Sequence, residues 1–184
     1  MFTNNYKKMA LCHVLGSSNS NYNQFQQEVV GVNGKSFKTY CPYQSGTYLS
    51  HNMLGEALRV PSTSVATRTC CFGDGNATPT ADDYKLSGDI ITNLSFTTKM
   101  SYTQEDDGVR MTAVYRITNN NSEAITISEV GLFGFGFSSY SNGSSGNPIL
   151  LERSVLDYPV TIEAGEFGDV TYEIKAYYPT FPAA

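Results

Sequence analysis

Two runs of residues alternating with a period of two, on either side of a tight acidic turn, limit the fold more than anything else in the chain. In the first, Leu94, Phe96, Thr98, Met100 and Tyr102 share one parity. Glu105–Gly108 reads as a turn, after which Val109, Met111, Ala113, Tyr115 and Ile117 alternate with Arg110, Thr112, Arg116 and Thr118. Successive side chains of a strand point to opposite faces, so this pattern lays one face on a core and gives the other to solvent. Asn119–Glu123 is the next turn, and Ile125 and Ile127 resume the alternation. Its phase slips at Glu129-Val130-Gly131, where a β-bulge or corner at Gly131 is expected. Ile149–Leu156 and Pro159–Ile162 read as short strands, and Val170, Tyr172, Ile174 and Ala176 follow the turn at Ala164-Gly165. Strands at this spacing predict a mainly β fold, an antiparallel β-sandwich or jelly-roll-like domain closed by Greek-key links.

Before Gly73 the patterning is less regular, and the chain divides there into two expected parts. Residues 1–72 form an irregular N-terminal helix and hairpin extension, and residues 73–184 form the sandwich. A short helix is predicted over Tyr6–Leu15, capped by Asn4 or Asn5 and ended by Gly16. A polar loop follows, then a hairpin of Glu28–Val32 and Ser36–Tyr40 turning at Asn33-Gly34. Asn52–Leu58 reads as a helical turn and Ser62–Phe72 as strand-like. Two loops stand out, the Gly-, Pro- and Asp-rich residues 73–83 and the Gly- and Ser-rich Gly134–Gly146, the second expected to touch a partner.

Charge narrows the partners. Only 16% of the 184 residues are charged, the formal net charge is −5, and no basic cluster exceeds Lys7–Lys8, which argues against a nucleic-acid groove. No apolar run approaches the ~20 residues of a membrane span. Met9–Leu15 imitates the apolar part of a signal peptide but is short and broken by Cys12 and His13, so secretion is not expected. Polarity comes instead from Ser, Thr, Asn and Gly, and thirteen Tyr and ten Phe suit pleated faces.

Catalytic chemistry finds no footing. The cysteines Cys12, Cys41, Cys70 and Cys71 form no CxxC pair and read as buried thiols. A zinc site from Cys12, His13, Cys41 and His51 lacks ligand spacing. Asp82-Asp83 and Glu105-Asp106-Asp107 fall in predicted turns, where solvated charge is the ordinary explanation. Asp74-Gly75-Asn76 begins like a calcium loop but lacks the remaining ligands and the closing Glu. Glu152-Arg153, in an otherwise apolar strand, reads as an exposed pair or an interface contact. No catalytic residue, cofactor or metal is therefore expected.

The wording of several segments is more telling than their chemistry. MFTNNYKKM, FGDGNATPTADDYKLSGDIIT, TNNNSEAITISEVGLF and ILLERSVLDYPVTIEAGEFGDVTYEI occur in that order. Together they resemble small virion structural proteins of tailed bacteriophages, especially of gut phages, over residues 1–9 and 73–174. Asp74 stands where that family usually has Thr. The resemblance implies a non-enzymatic structural protein present in multiple copies, of the capsid decoration or head-fibre type. A neck, tail or baseplate component is the alternative, as is a receptor- or glycan-binding sandwich using Tyr140. Implied partners are copies of itself and other virion proteins, the major capsid protein among them, with assembly in the host cytoplasm and residence in the virion. Reduced thiols suit that compartment. Residues 1–16 would be the assembly arm, with Phe2, Tyr6 and Met9 as contacts, joined by Phe135, Phe137 and Tyr140 of the later loop.

Overall fold

In the computed structural model the described residues are 1–16, 27–39, 55, 57–65, 68–137 and 146–177, without the side chains of 11–16, 137, 146, 176 and 177. Helix α1 (Asn4–Gly16) is followed by β1 (Gln27–Val30), β2 (Ser36–Thr39), β3 (Pro61–Ser62), β4 (Thr69–Gly73), β5 (Leu94–Glu105), β6 (Gly108–Asn119), β7 (Ile125–Phe137), β8 (Gly146–Ile162) and β9 (Phe167–Tyr177). The fold is mainly β, with a short N-terminal helix and antiparallel sheets. One sheet runs β3-β4-β7-β8 and a second β5-β6-β9, while β1 and β2 form a separate hairpin.

The alternation in β5, β6 and β9 arises because one face of the three-stranded sheet is dry. Ala113, Tyr115 and Ile117 of β6 are buried together with Val170, Tyr172 and Ile174 of β9. They meet Cys70, Phe72, Val130, Leu132, Ile149 and Leu151 of the other sheet in a single core. Phe72 packs edge-on against Tyr115 at 5.2 Å between ring centroids and stacks on Phe96 at 5.7 Å. The Tyr115 hydroxyl donates to the Leu58 carbonyl at 2.6 Å, so the largest polar side chain between the sheets is satisfied.

The same core takes in Met9, Val29, Ala57 and Leu58, all from the first 72 residues. The division expected at Gly73 coincides with the last residue of β4, which pairs with Glu129 of β7, so no break in packing falls there. Ser62–Phe72 is not one strand. Pro61-Ser62 and Cys70-Cys71 lie side by side as a short parallel pair, with Arg68 at a φ of 65° between them. Nor do Asn4 or Asn5 cap the helix. Thr3 does, its Oγ1 accepting from the Tyr6 amide at 3.3 Å.

Strands β7 and β8 are longer than their sequence pattern implies. Gly134–Phe137 continues β7, and β8 runs unbroken in pairing order from Gly146 through both predicted short strands. Their ladder is irregular at two places. Leu156–Pro159 of β8 stands opposite Ser128 alone, and Leu151 is the extra residue between the pairs Leu132↔Glu152 and Phe133↔Leu150. The phase slip thus belongs to Ser128 and the β8 bulge, not to Gly131. Gly131 has another task. A side chain there would lie 2.6 Å from Leu86, which the loop before β5 presses onto the strand.

Candidate functional site

The outer face of the four-stranded sheet is covered by residues 74–90, and the covering is fastened at one buried arginine. Arg153 projects from β8, its side chain 2% exposed. Its Nε donates to Glu129 Oε2 at 2.6 Å, one terminal nitrogen donates to Asp83 Oδ2 at 2.7 Å, and the other to the Ala77 carbonyl at 2.7 Å. Pairing of Gly131 with Arg153, two residues from Glu129 along β7, puts acid and base on the same sheet face. Glu129, with no exposed surface, also accepts from the Ser87 amide and hydroxyl, both at 3.1 Å, and from the Gly88 amide at 2.8 Å. Asp83 accepts from the amide and hydroxyl of Thr80 at 3.0 and 2.7 Å.

Two glycines allow this closeness. A side chain on Gly75 would fall 2.2 Å from the Gly88 nitrogen and 2.3 Å from Glu129, and one on Gly88 would fall 2.3 Å from the Gly75 nitrogen. The Asp89 amide donates to Asp74 Oδ1 at 2.8 Å, so the residue that opens the calcium-like sequence closes the loop on itself.

Burial works to raise the Glu129 and Asp83 carboxyl pKa values, but their partners win. The Gly88 and Ser87 amides and Arg153 hold Glu129 below the usual carboxylate range, and Thr80 and Arg153 do so for Asp83. Both carboxylates are spent on the same guanidinium, and every polar atom of the cluster is satisfied. That arrangement fastens segments together. It leaves no acid, base or nucleophile poised toward a substrate.

The other face of β8 carries Glu152, which points between the sheets and is 4% exposed. Its Oε1 meets the Met1 ammonium group and accepts from the Ser154 hydroxyl at 2.8 Å, while its Oε2 is buried with no partner. Burial pushes its pKa up, against the pull of the ammonium group. Residues 1–3 lie along the β8 edge. The Thr3 amide donates to the Leu151 carbonyl at 3.0 Å, the Arg153 amide to the Met1 carbonyl at 3.1 Å, and Thr3 Oγ1 to the Leu150 carbonyl at 2.7 Å.

The Glu152-Arg153 pair, expected as an exposed or interface contact, is therefore internal, and Asp83, expected as solvated turn charge, is partly buried, because both faces of β7 and β8 are covered. The expected contact residues separate in a similar way. Met9 (3% exposed) and Phe135 (5%) are core residues, Phe135 lying under the Arg68 guanidinium at 4.8 Å, so neither is presented to a partner. Phe2 and Tyr6 are half-buried and stack on each other at 4.6 Å. Phe137 ends β7 with its side chain outside the described residues, where Tyr140 also lies. The same holds for the side chains of Cys12, His13, Cys41 and His51. Cys70 and Cys71 are buried free thiols; burial raises both, Cys71 to about 11. Among the described residues no group of three or more His, Cys, Asp or Glu could hold a metal ion, and no helix is long and apolar enough to cross a membrane.

Comparison with known proteins returns no family model, no curated protein and no solved structure that matches the chain.

Proposed function

We propose that the chain is a non-enzymatic structural protein of a tailed-bacteriophage virion, carried in multiple copies as a capsid decoration or head-fibre-type component. One observation supports this reading above the rest. The segments whose wording resembles virion proteins meet at the Arg153 cluster. Asp83 comes from ADDYKL, Glu129 from SEVGLF and Arg153 from LLERSVLD, and MFTN lies along the same strand, β8. In this chain those segments fasten a loop and a terminal segment onto a sheet. A part that must hold its shape through assembly needs such fastening, and a catalyst would need groups left free.

The proposal is tested on particles purified from a host culture that carries this gene. Quantitative peptide mass spectrometry is expected to find the chain at many copies per particle, retained in heads separated from tails. Its retention in tails alone would move the part to the neck, tail or baseplate. Its absence from intact, purified particles would overturn the reading.

A further inference from the structure

The two sheets treat their edges differently. The outer edge of β8 is occupied by residues 1–3 and by the Val32 amide, which donates to the Pro148 carbonyl at 3.1 Å. On the other sheet, β9 lies toward β8, with Tyr172 and Ser154 hydroxyls 3.4 Å apart. Strand β5, at the opposite edge, lies toward β3, but among the described residues no segment hydrogen-bonds to its outer side. It pairs with β6 through twelve consecutive residues without a register shift, so its edge is straight, and it contains neither proline nor glycine. Natural edges are normally blunted by bulges, prolines or charge, and Lys99 is the only charged residue before its terminal Glu105.

The parity of that edge can be read from the hairpin. Glu105↔Gly108 closes it across a two-residue turn and is a hydrogen-bonded pair, so the odd-numbered residues of β5 bond to β6. The Asn120 amide, bonded to the Asn93 carbonyl at 3.1 Å, continues this parity. The amides and carbonyls of Phe96, Thr98, Met100, Tyr102 and Gln104 point away from β6, and among the described residues none has a partner. Their side chains lie on the core-facing side of the sheet. Phe96, Thr98 and Met100 are only half-buried and Tyr102 is 54% exposed, so apolar surface runs up to the open edge.

We infer that β5 is the surface on which two copies of this chain join, edge to edge and antiparallel, making one six-stranded sheet. A two-fold axis perpendicular to the sheet keeps both core-facing sides together and matches two edges of equal length. Charge rules out the Lys99-centred register, and packing on the inner side selects the one centred on Ser101. Centring the axis on Lys99 would oppose two ammonium groups. Centring it on Ser101 sets Lys99 opposite the second copy's Thr103 and one pairing step from its Glu105. On the inner side Met100 then meets the second copy's Tyr102, a sulfur–aromatic contact, twice over. This deepens the building-part reading by naming where copies meet.

The test uses the full chain in solution. Light scattering is expected to give the mass of two chains. Ser101→Cys should cross-link into a covalent dimer under mild oxidation, since the two sulfurs would face each other in a non-hydrogen-bonded pair. Thr98→Pro removes only an outward-facing amide and Tyr102→Lys sets a charge on the inner side of the edge. Each should give a monomer with an unchanged β-sheet circular dichroism spectrum, and Thr98→Pro should abolish the Ser101→Cys cross-link. If Thr98→Pro unfolds the chain, Tyr102→Lys decides. A monomeric wild-type chain at every concentration, a dimer that survives Tyr102→Lys, or failure of Ser101→Cys to cross-link would overturn the inference. If the monomeric chain instead loses its place in particles on Tyr102→Lys, the edge belongs to a different particle protein. The building-part reading is separately exposed to the particle measurement above.

Discussion

Burial works to raise the carboxyl pKa values of Glu129, Asp83 and Glu152 alike, and their partners decide which way each one shifts. Glu129 and Asp83 are held below the usual carboxylate range, so the stability they contribute is present above about pH 4.5 and lost as pH falls through their folded values. Glu152 is raised, so its contribution has the reverse sign, present below its unfolded value and lost as pH rises through the folded one. Glu152→Gln removes that loss. Relative to wild type, the variant should therefore melt higher at pH 7 than the comparison at pH 4 would suggest; an equal difference at both pH values would contradict the buried, raised carboxyl. Tyr115→Phe leaves the buried Leu58 carbonyl without its donor and should cost about 1–3 kcal/mol in urea unfolding. Arg116→Glu, on the wet face where Arg116 pairs with Asp169 and lies over Phe167 at 4.6 Å, should cost less than Tyr115→Phe in the same measurement. Reversal of that order would mean the strand parity is wrong.

At the scale of elements, legibility followed exposure. Strands β5, β6 and β9 could be read residue by residue because one face of their sheet meets water. Strands β7 and β8 could not, because residues 74–90 cover the face that an isolated strand would leave wet. Nothing local in SEVGLF or LLERSVLD says that such a cover exists. The readable signal was a lone acid and a lone base, each within an apolar run, and it becomes specific only once pairing sets Arg153 two residues from Glu129 on one face. Met9 and Phe135 were misplaced for a related reason: an apolar residue on a presumed arm or loop looks like a contact until the element docks on its own chain. The Thr3 cap went unseen behind two asparagines of similar capping ability. The covering loop itself offers a sharp test. Gly88→Ala drives a methyl group into the Gly75 backbone and the Asp74 carboxylate, and should destabilise the fold by more than about 2 kcal/mol in chemical denaturation. Gly165→Ala, at a φ of 77° in open space, should cost about 1 kcal/mol. Equal effects would mean that the two glycines do not touch.

For the whole molecule, the described residues are held by a shared hydrophobic core between two sheets and by the ionic cluster around Arg153 on the outer side of one of them. The segment before Gly73 belongs to that core through Met9, Val29, Leu58 and Phe72, so it does more than hang from the sandwich as an arm. Chelators should leave the melting temperature unchanged; a large shift would reveal a metal that the described residues do not hold. The central claim is that the Arg153 cluster exists to hold the molecule together, and a double-mutant cycle in urea tests it most directly. Arg153→Met alone strands a buried carboxylate and should cost about 3–5 kcal/mol. Combined with Glu129→Gln it should cost clearly less than the sum of the two single changes, by about 1 kcal/mol or more. Additivity within about 0.5 kcal/mol, or an Arg153→Met chain as stable as wild type, would contradict the account.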